Sequence, residues 1–280
     1  MKKTFQDGIR LMWVPALVGI LFITACAKPT TRAPKLDASQ VAAERAAQEQ
    51  AVQRGQSETQ SGQPINMLSM QEVMARLNRV SPKVQQSGTE ICQQMYGNRK
   101  QCSFSFALAD QDVLNAWADG KGVYITPKMV SFAATDEELA NVLSHEYAHN
   151  VLSHPQSTGQ NAAAGAIGGL LLDTLARSQG FDTGNAFSKI GAEQGQYHYS
   201  VAFEREADYV GMYILANAGY RVDGALNFWR KFTAQDGHGL ERSRSHPSNP
   251  ERTVAMQKTI DEINAKRAAK QPLLPEMKTK

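Results

Sequence analysis

The chain has 280 residues, 42% hydrophobic and 20% charged, which is ordinary globular composition with room for one large domain or two small ones. Its formal charge of +3 is small and scattered, and no basic run is interleaved with aromatics, so nucleic-acid binding is excluded as an organising function.

The first 25 residues read as a leader. MKKTFQDGIR is a basic start despite Asp7, and the apolar run LMWVPALVGILFITA that follows is shorter than the roughly 20 residues that span a bilayer. It ends at Cys26, where ITAC resembles the lipobox of bacterial lipoproteins, which are lipidated on the cysteine and cut just before it. Cys26 is therefore the expected anchor. Ala27, rather than aspartate, points to the outer membrane of a double-membrane bacterium, with the protein facing the periplasm. Residues 26–66 are rich in Ala, Gln, Ser and charge and nearly free of large apolar side chains, which predicts a flexible tether. From 67 the pattern changes. Met70, Val73, Met74 and Leu77 recur at helical spacing and predict a core-facing stripe.

With Cys26 set aside, Cys92 and Cys102 remain, and in an exported protein this pair predicts a local disulfide around a turn at Gly97-Asn98. CSFSFALA alternates as a strand does, and GVYITP at 122–127 reads as a second strand after the Asp119-Gly120 turn. Thereafter the chain looks helical. In TDEELANVLSHEYAHNVLSHPQ, Thr135 caps a helix, Glu138 stands three residues on and Pro155 ends the pattern. This helix carries H-E-x-x-H. His145 and His149 lie one turn apart, so both imidazoles reach one cation, and Glu146 beside them is placed as a general base.

Two histidines do not close a zinc site. A metzincin continuation fails, because Leu152 and Pro155 stand where glycine and histidine belong. The open candidates are His154, His198, His238, His246 and carboxylates; His154 reads as a surface histidine at a helix end. Glu204 in FEREADYVGMYILANAGY is the strongest, on a second helix whose buried face is Val210, Gly211, Ile214, Leu215 and Ala218. Asp208, one turn on, suits the free ring N–H of a ligating histidine, whereas Glu206 is turned about 200° from Glu204, so both cannot bind. Residues 160–180 carry no motif; their small residues predict close helix packing or a lid.

Together LSHEYAHNVLSH, EREAD and SHPSNPERTVAM resemble the HtpX-like and CaaX-prenyl-protease-like zinc metallopeptidases, gluzincins, over about 67–265. The resemblance implies a mostly α fold with a small β-sheet, a zincin-type domain at 67–265 and a basic tail at 266–280. It implies one Zn2+ per chain held by His145, His149 and Glu204, with Glu146 catalytic and Asp208 supporting a ligand. His246 and Arg252 would face the zinc and polarise the scissile carbonyl, and His246 swung in as a fourth ligand would hold a latent state. Asn115, Ala116, Trp117, Gly122 and Val123 would belong to an edge strand on which extended substrates lie. The implied substrates are unfolded or misassembled envelope proteins, with outer-membrane assembly machinery as a further partner. The rival reading is a chaperone-like assembly factor with latent or minor protease activity.

Overall fold

A computed structural model describes residues 28–58, 65–235 and 250–278; Cys26 and His246 lie outside them. In chain order the described elements are α1 (Ala38–Glu58), α2 (Met70–Tyr96), β1 (Ser105–Leu108), β2 (Ala116–Ala118), β3 (Gly122–Ile125), α3 (Pro127–Phe132), α4 (Asp136–Leu152), α5 (His154–Ser178), α6 (Ala186–Asn217), α7 (Ala225–Gln235) and α8 (Pro250–Ala268). The expected mostly helical fold with a small sheet is what forms.

The larger of two units comprises Pro29–Pro155 and Ser200–Lys280. Its axis is α4, buried at every position from Leu139 to Leu152. Such a helix must be covered all round, and α2, α7, β2 and β3 do so. The N-terminus is fixed as the sequence predicts: Thr135 Oγ1 accepts from the Glu138 backbone N–H at 3.2 Å, while Arg79 grips Asp136 at 2.6 and 2.9 Å. Ser153, left-handed at φ 59°, stops the helix, and Pro155 falls in the first turn of α5, where its missing N–H costs no helical bond.

Helix α2 opens with a full capping box between Ser69 and Glu72. Its buried face is Val73, Leu77, Val80, Val84 and Ile91, whereas Met70 is 53% and Met74 40% exposed. The methionine part of the expected core stripe is thus corrected: Met70 lies in the first turn and Met74 on the outer flank of that face. Gly88 permits the crossing with α4, since a Cβ there would stand 2.4 Å from the Tyr147 ring. After α2, Cys92 and Cys102 form the expected disulfide, with Cα atoms 5.5 Å apart. Tyr147 ties that loop to α4 by donating its hydroxyl hydrogen to the Cys102 carbonyl at 2.7 Å.

The sheet has order β1-β3-β2, with β3 parallel to β1 and antiparallel to β2. Asp119 shapes the β2–β3 turn by accepting from Lys121 and Gly122 N–H at 2.7 and 2.8 Å, with Gly120 at φ 89°. Gly122 and Val123 lie on the middle strand, paired with Ser105 and Phe106 of β1, and Val123 also with Ala118 of β2. They are therefore removed from the edge-strand set. Of the residues in that set, only Ala116 and Trp117 of β2, with Asn115 just before it, lie at a rim of the sheet.

The expected tether is also corrected, because residues 28–58 are ordered. Helix α1 packs on α7 and α8, with the Gln48 amide donating to Thr253 at 2.9 Å and Arg230 paired with Glu44 at 2.9 Å. An alanine-rich stretch has high helix propensity, and its short side chains let it lie against a neighbour without large apolar residues. The basic tail folds back too. Arg32 N–H donates to Glu276 at 2.7 Å and Lys278 N–H to Thr30 at 2.9 Å, flanking a bridge between Thr31 and Met277.

Within the other unit, Gln156–Tyr199 forms a tight helical hairpin. A Cβ on Gly165 would stand 1.9 Å from the Gly191 carbonyl oxygen, and one on Gly169 1.9 Å from that of Phe187. This is the close packing that the small residues predict. Asp173 accepts the Phe187 and Ser188 N–H groups at 3.2 and 2.9 Å, satisfying the start of α6. Ile167, Leu171 and Phe181 are exposed. Among the described residues no helix is long and apolar enough to cross a membrane.

Gly88→Ala should destabilise the protein despite alanine's helix propensity. That propensity contributes about 1 kcal/mol, while overpacking a closed core costs roughly 1–3 kcal/mol, and the enclosed Tyr147 ring leaves no room to relax. A lowered urea midpoint at constant m-value is the expected result.

Candidate metal centre

Six polar residues of α4 are buried: Asn141, Ser144, His145, Glu146, His149 and Asn150. Buried polar groups are costly without partners, and α6 supplies the carboxylate partners of His145 and His149. The two helices meet at Gly211, where a Cβ would stand 3.1 Å from the His145 Cα and 3.2 Å from the Ser144 carbonyl oxygen. Backbone approach at that distance sets Glu204 opposite both imidazoles. Its Oε2 is 3.2 Å from His145 Nε2 and its Oε1 3.2 Å from His149 Nε2, while the two ring nitrogens are 3.1 Å apart. One donor atom from each of the three lies within 4.8 Å of the others, and all three residues are buried. This donor set of two imidazoles and a carboxylate fits a zinc ion with a position left for water.

The supports are as ordered as the donors. Asp208 Oδ1 lies 3.0 Å from His145 Nδ1, leaving Nε2 to face the centre. Arg252, at the start of α8, forks onto Asp208 at 2.7 and 2.8 Å and reaches Glu204 Oε2 at 3.1 Å. Its guanidinium lies over Trp229, 5.0 Å from the ring centroid, and the same indole meets His145 edge-on at 5.0 Å. In this structure Arg252 therefore braces Glu204 and Asp208.

These contacts govern the charges. Burial works against ionisation of Asp208, but Arg252 outweighs it and holds the carboxyl below its ordinary range. Burial opposes a charge on His145 as well, yet bonds to Asp208 and Glu204 push its pKa up to about 10. His149 goes the other way: burial, only partly offset by Glu204, brings it down to about 3. Of the two rings, the one that Asp208 holds is thus favoured for the positive charge, while its neighbour is held neutral.

Three residues at the site were missed or misplaced in the sequence reading. His154 is 3% exposed rather than on the surface; its Nδ1 lies 3.1 Å from His149 Nδ1 and its Nε2 3.0 Å from Glu206. Glu206, set aside because it faces away from Glu204, is itself buried on that second contact. Burial pushes His154 down, and though burial resists the Glu206 charge, the bonds from His154 and the Thr30 and Thr31 backbone hold Glu206 below its usual value. Asn150 clips the sheet to α4, accepting from Gly120 N–H at 2.7 Å and donating to the Gly122 carbonyl at 2.8 Å. The signal for His154 is its place in SHPQ, five residues past His149; that for Asn150 is an amide directly after the motif.

A helix bearing H-E-x-x-H, crossed by a second that supplies glutamate, defines a zincin-type metallopeptidase domain. The profile of peptidase family M48 matches residues 78–260, and the chain belongs to that family. It is 30% identical over 146 residues to the beta-barrel assembly-enhancing protease of Yersinia pestis, covering 49% of this chain and 30% of that protein. It is 26% identical over 148 residues to the protein of that name in Escherichia coli K12, covering 50% and 30%. The mitochondrial metalloendopeptidase OMA1 of Saccharomyces cerevisiae is 25% identical over 154 residues, 52% of this chain and 43% of that protein. The matches thus span less than half the length of these relatives.

Arg252→Met should destabilise the metal-free protein by about 3–5 kcal/mol, because Asp208 and Glu204 are then left as buried charges without their cation. Added zinc should restore part of the loss. Chemical denaturation with and without chelator measures both.

Proposed function

We propose that this chain is a zinc-dependent endopeptidase of the bacterial cell envelope, acting on misfolded or stalled periplasmic and outer-membrane proteins. The observation that carries the reading is the convergence of His145, His149 and Glu204 on one point, with Glu146 beside it on α4. Zinc held by those three side chains supplies Lewis acidity that activates water and polarises a carbonyl. Glu146 does the proton work: its carboxylate takes a proton from the attacking water and passes it to the departing amine nitrogen. Asp208 and Arg252 keep His145 and Glu204 in register during turnover. His246, outside the described residues, is assigned the oxyanion contact and the latent fourth-ligand state.

The substrate is placed along β2. A strand at the rim of a sheet offers main-chain hydrogen bonds to an extended peptide, which binds many sequences alike. Asn115, Ala116 and Trp117 are the residues proposed for it. Relatives named for protease action and for β-barrel assembly support an envelope substrate, and the leader ending at Cys26 supports a lipid anchor that keeps the domain at the outer membrane.

Glu146→Gln should retain bound zinc and lose proteolysis of casein or unfolded porin by about 100-fold or more, the range of a general base. Cleavage at the wild-type rate would remove the mechanism. Glu204→Ala should lose zinc, read as metal content per chain after dialysis. Cys26→Ser should leave the membrane fraction or remain at precursor size on a gel; unchanged membrane retention would refute the anchor.

A further inference from the structure

The two histidines of the centre are held by different means. His145 has a carboxylate, Asp208, on its Nδ1. His149 has a histidine there instead, and behind that histidine a carboxylate: His149 Nδ1 lies 3.1 Å from His154 Nδ1, and His154 Nε2 lies 3.0 Å from Glu206 Oε2. A carboxylate accepts and does not donate, so His154 carries its hydrogen on Nε2. Its Nδ1 is then an acceptor, and the hydrogen between the rings belongs to His149 Nδ1. That leaves the lone pair of His149 on Nε2, the atom facing Glu204 and His145. The His154 ring is fixed by stacking on Phe203, with centroids 4.4 Å apart and planes 14° from parallel.

Glu206 is fixed in turn from outside. Its Oε1 accepts from the backbone N–H groups of Thr30 and Thr31, the second at 2.6 Å, and from the Thr30 hydroxyl at 3.1 Å. The N–H of Thr31 is available because the ladder to the C-terminal strand uses its neighbours, Arg32 N–H and Lys278 N–H. Thr31 therefore lies three hydrogen-bonded steps from the His149 ring. All of these residues fall within the larger unit.

We propose that His154 and Glu206 are positioning residues that fix the tautomer and ring orientation of His149, and that docking of Thr30-Thr31 on Glu206 completes this support. The inference rests on the metal-site reading above and adds to it a link between the centre and the segment leading to the N-terminus. Detaching residues 30–31 releases Glu206, lets the His154 ring turn, and weakens metal binding without touching a ligand.

Cobalt(II), whose visible spectrum reports coordination, tests the link on the full chain by competition with a chromogenic chelator. Glu206→Gln keeps the shape but places an amide donor against His154 Nε2, reversing the hydrogen order along the row. It should weaken cobalt affinity by about 10–100-fold, the scale of outer partners of metal ligands, and alter the visible bands. His154→Phe, which keeps the stacking on Phe203, should do the same. Thr31→Pro removes the one N–H while sparing the ladder, and should weaken affinity by a smaller factor, with no added effect in the His154→Phe background because both act through one row. Wild-type affinity and spectrum in folded Glu206→Gln and Thr31→Pro would overturn the proposal, as would equal Thr31→Pro losses in both backgrounds. If His154→Phe does not fold, Glu206→Gln and Thr31→Pro decide alone. A wild-type chain that binds neither cobalt nor zinc would instead overturn the metal-site reading itself, and the row with it.

Discussion

Arg252 is the contact on which the centre depends. Glu204 and Asp208 sit in a place largely closed to solvent, one facing both imidazoles of the centre and the other as an acceptor for His145. Two carboxylates one helical turn apart repel each other and are costly to bury. A single guanidinium, planar and permanently charged, bridges both and lies over Trp229. That one cation therefore offsets both charges.

The second constraint is steric. Charge complementarity acts only if α4 and α6 approach closely enough, and Gly211 against the His145 backbone sets that distance. Around this crossing the other elements are pinned to α4 by polar groups of its own. Tyr147 holds the disulfide loop, Asn150 the β2–β3 turn, and His149, through His154, the underside of α6 at Glu206. A helix that is both the axis of the core and the carrier of the chemistry couples fold to function directly: disturbing its packing also displaces its donors.

Two described segments far apart in the chain meet beside the centre. Residues 30–32 and 276–278 pair along one another, and Thr30 and Thr31 bond Glu206.

Several features were legible in the sequence because they depend on neighbours along the chain. Helical spacing put His145 and His149 on one face, Thr135 marked where their helix begins, and the Glu204 to Asp208 interval separated donor from support. The disulfide followed from parity and compartment. What the sequence hid are relations between distant segments. The alanine-rich stretch looked like a tether because its composition shows no core, yet α1 finds a surface on α8 that no local pattern discloses. Gly122 and Val123 lost their edge position because β1 pairs with β3 from the far side, a topological fact. His154 and Glu206 looked peripheral on their own helices and become partners only when α6 crosses beneath the end of α4. The sequence by itself determined the chemistry, since ligand types and their spacing on a helix are local; the tertiary structure alone decided which buried charges neutralise one another, since that requires segments far apart in the chain to meet within hydrogen-bonding distance.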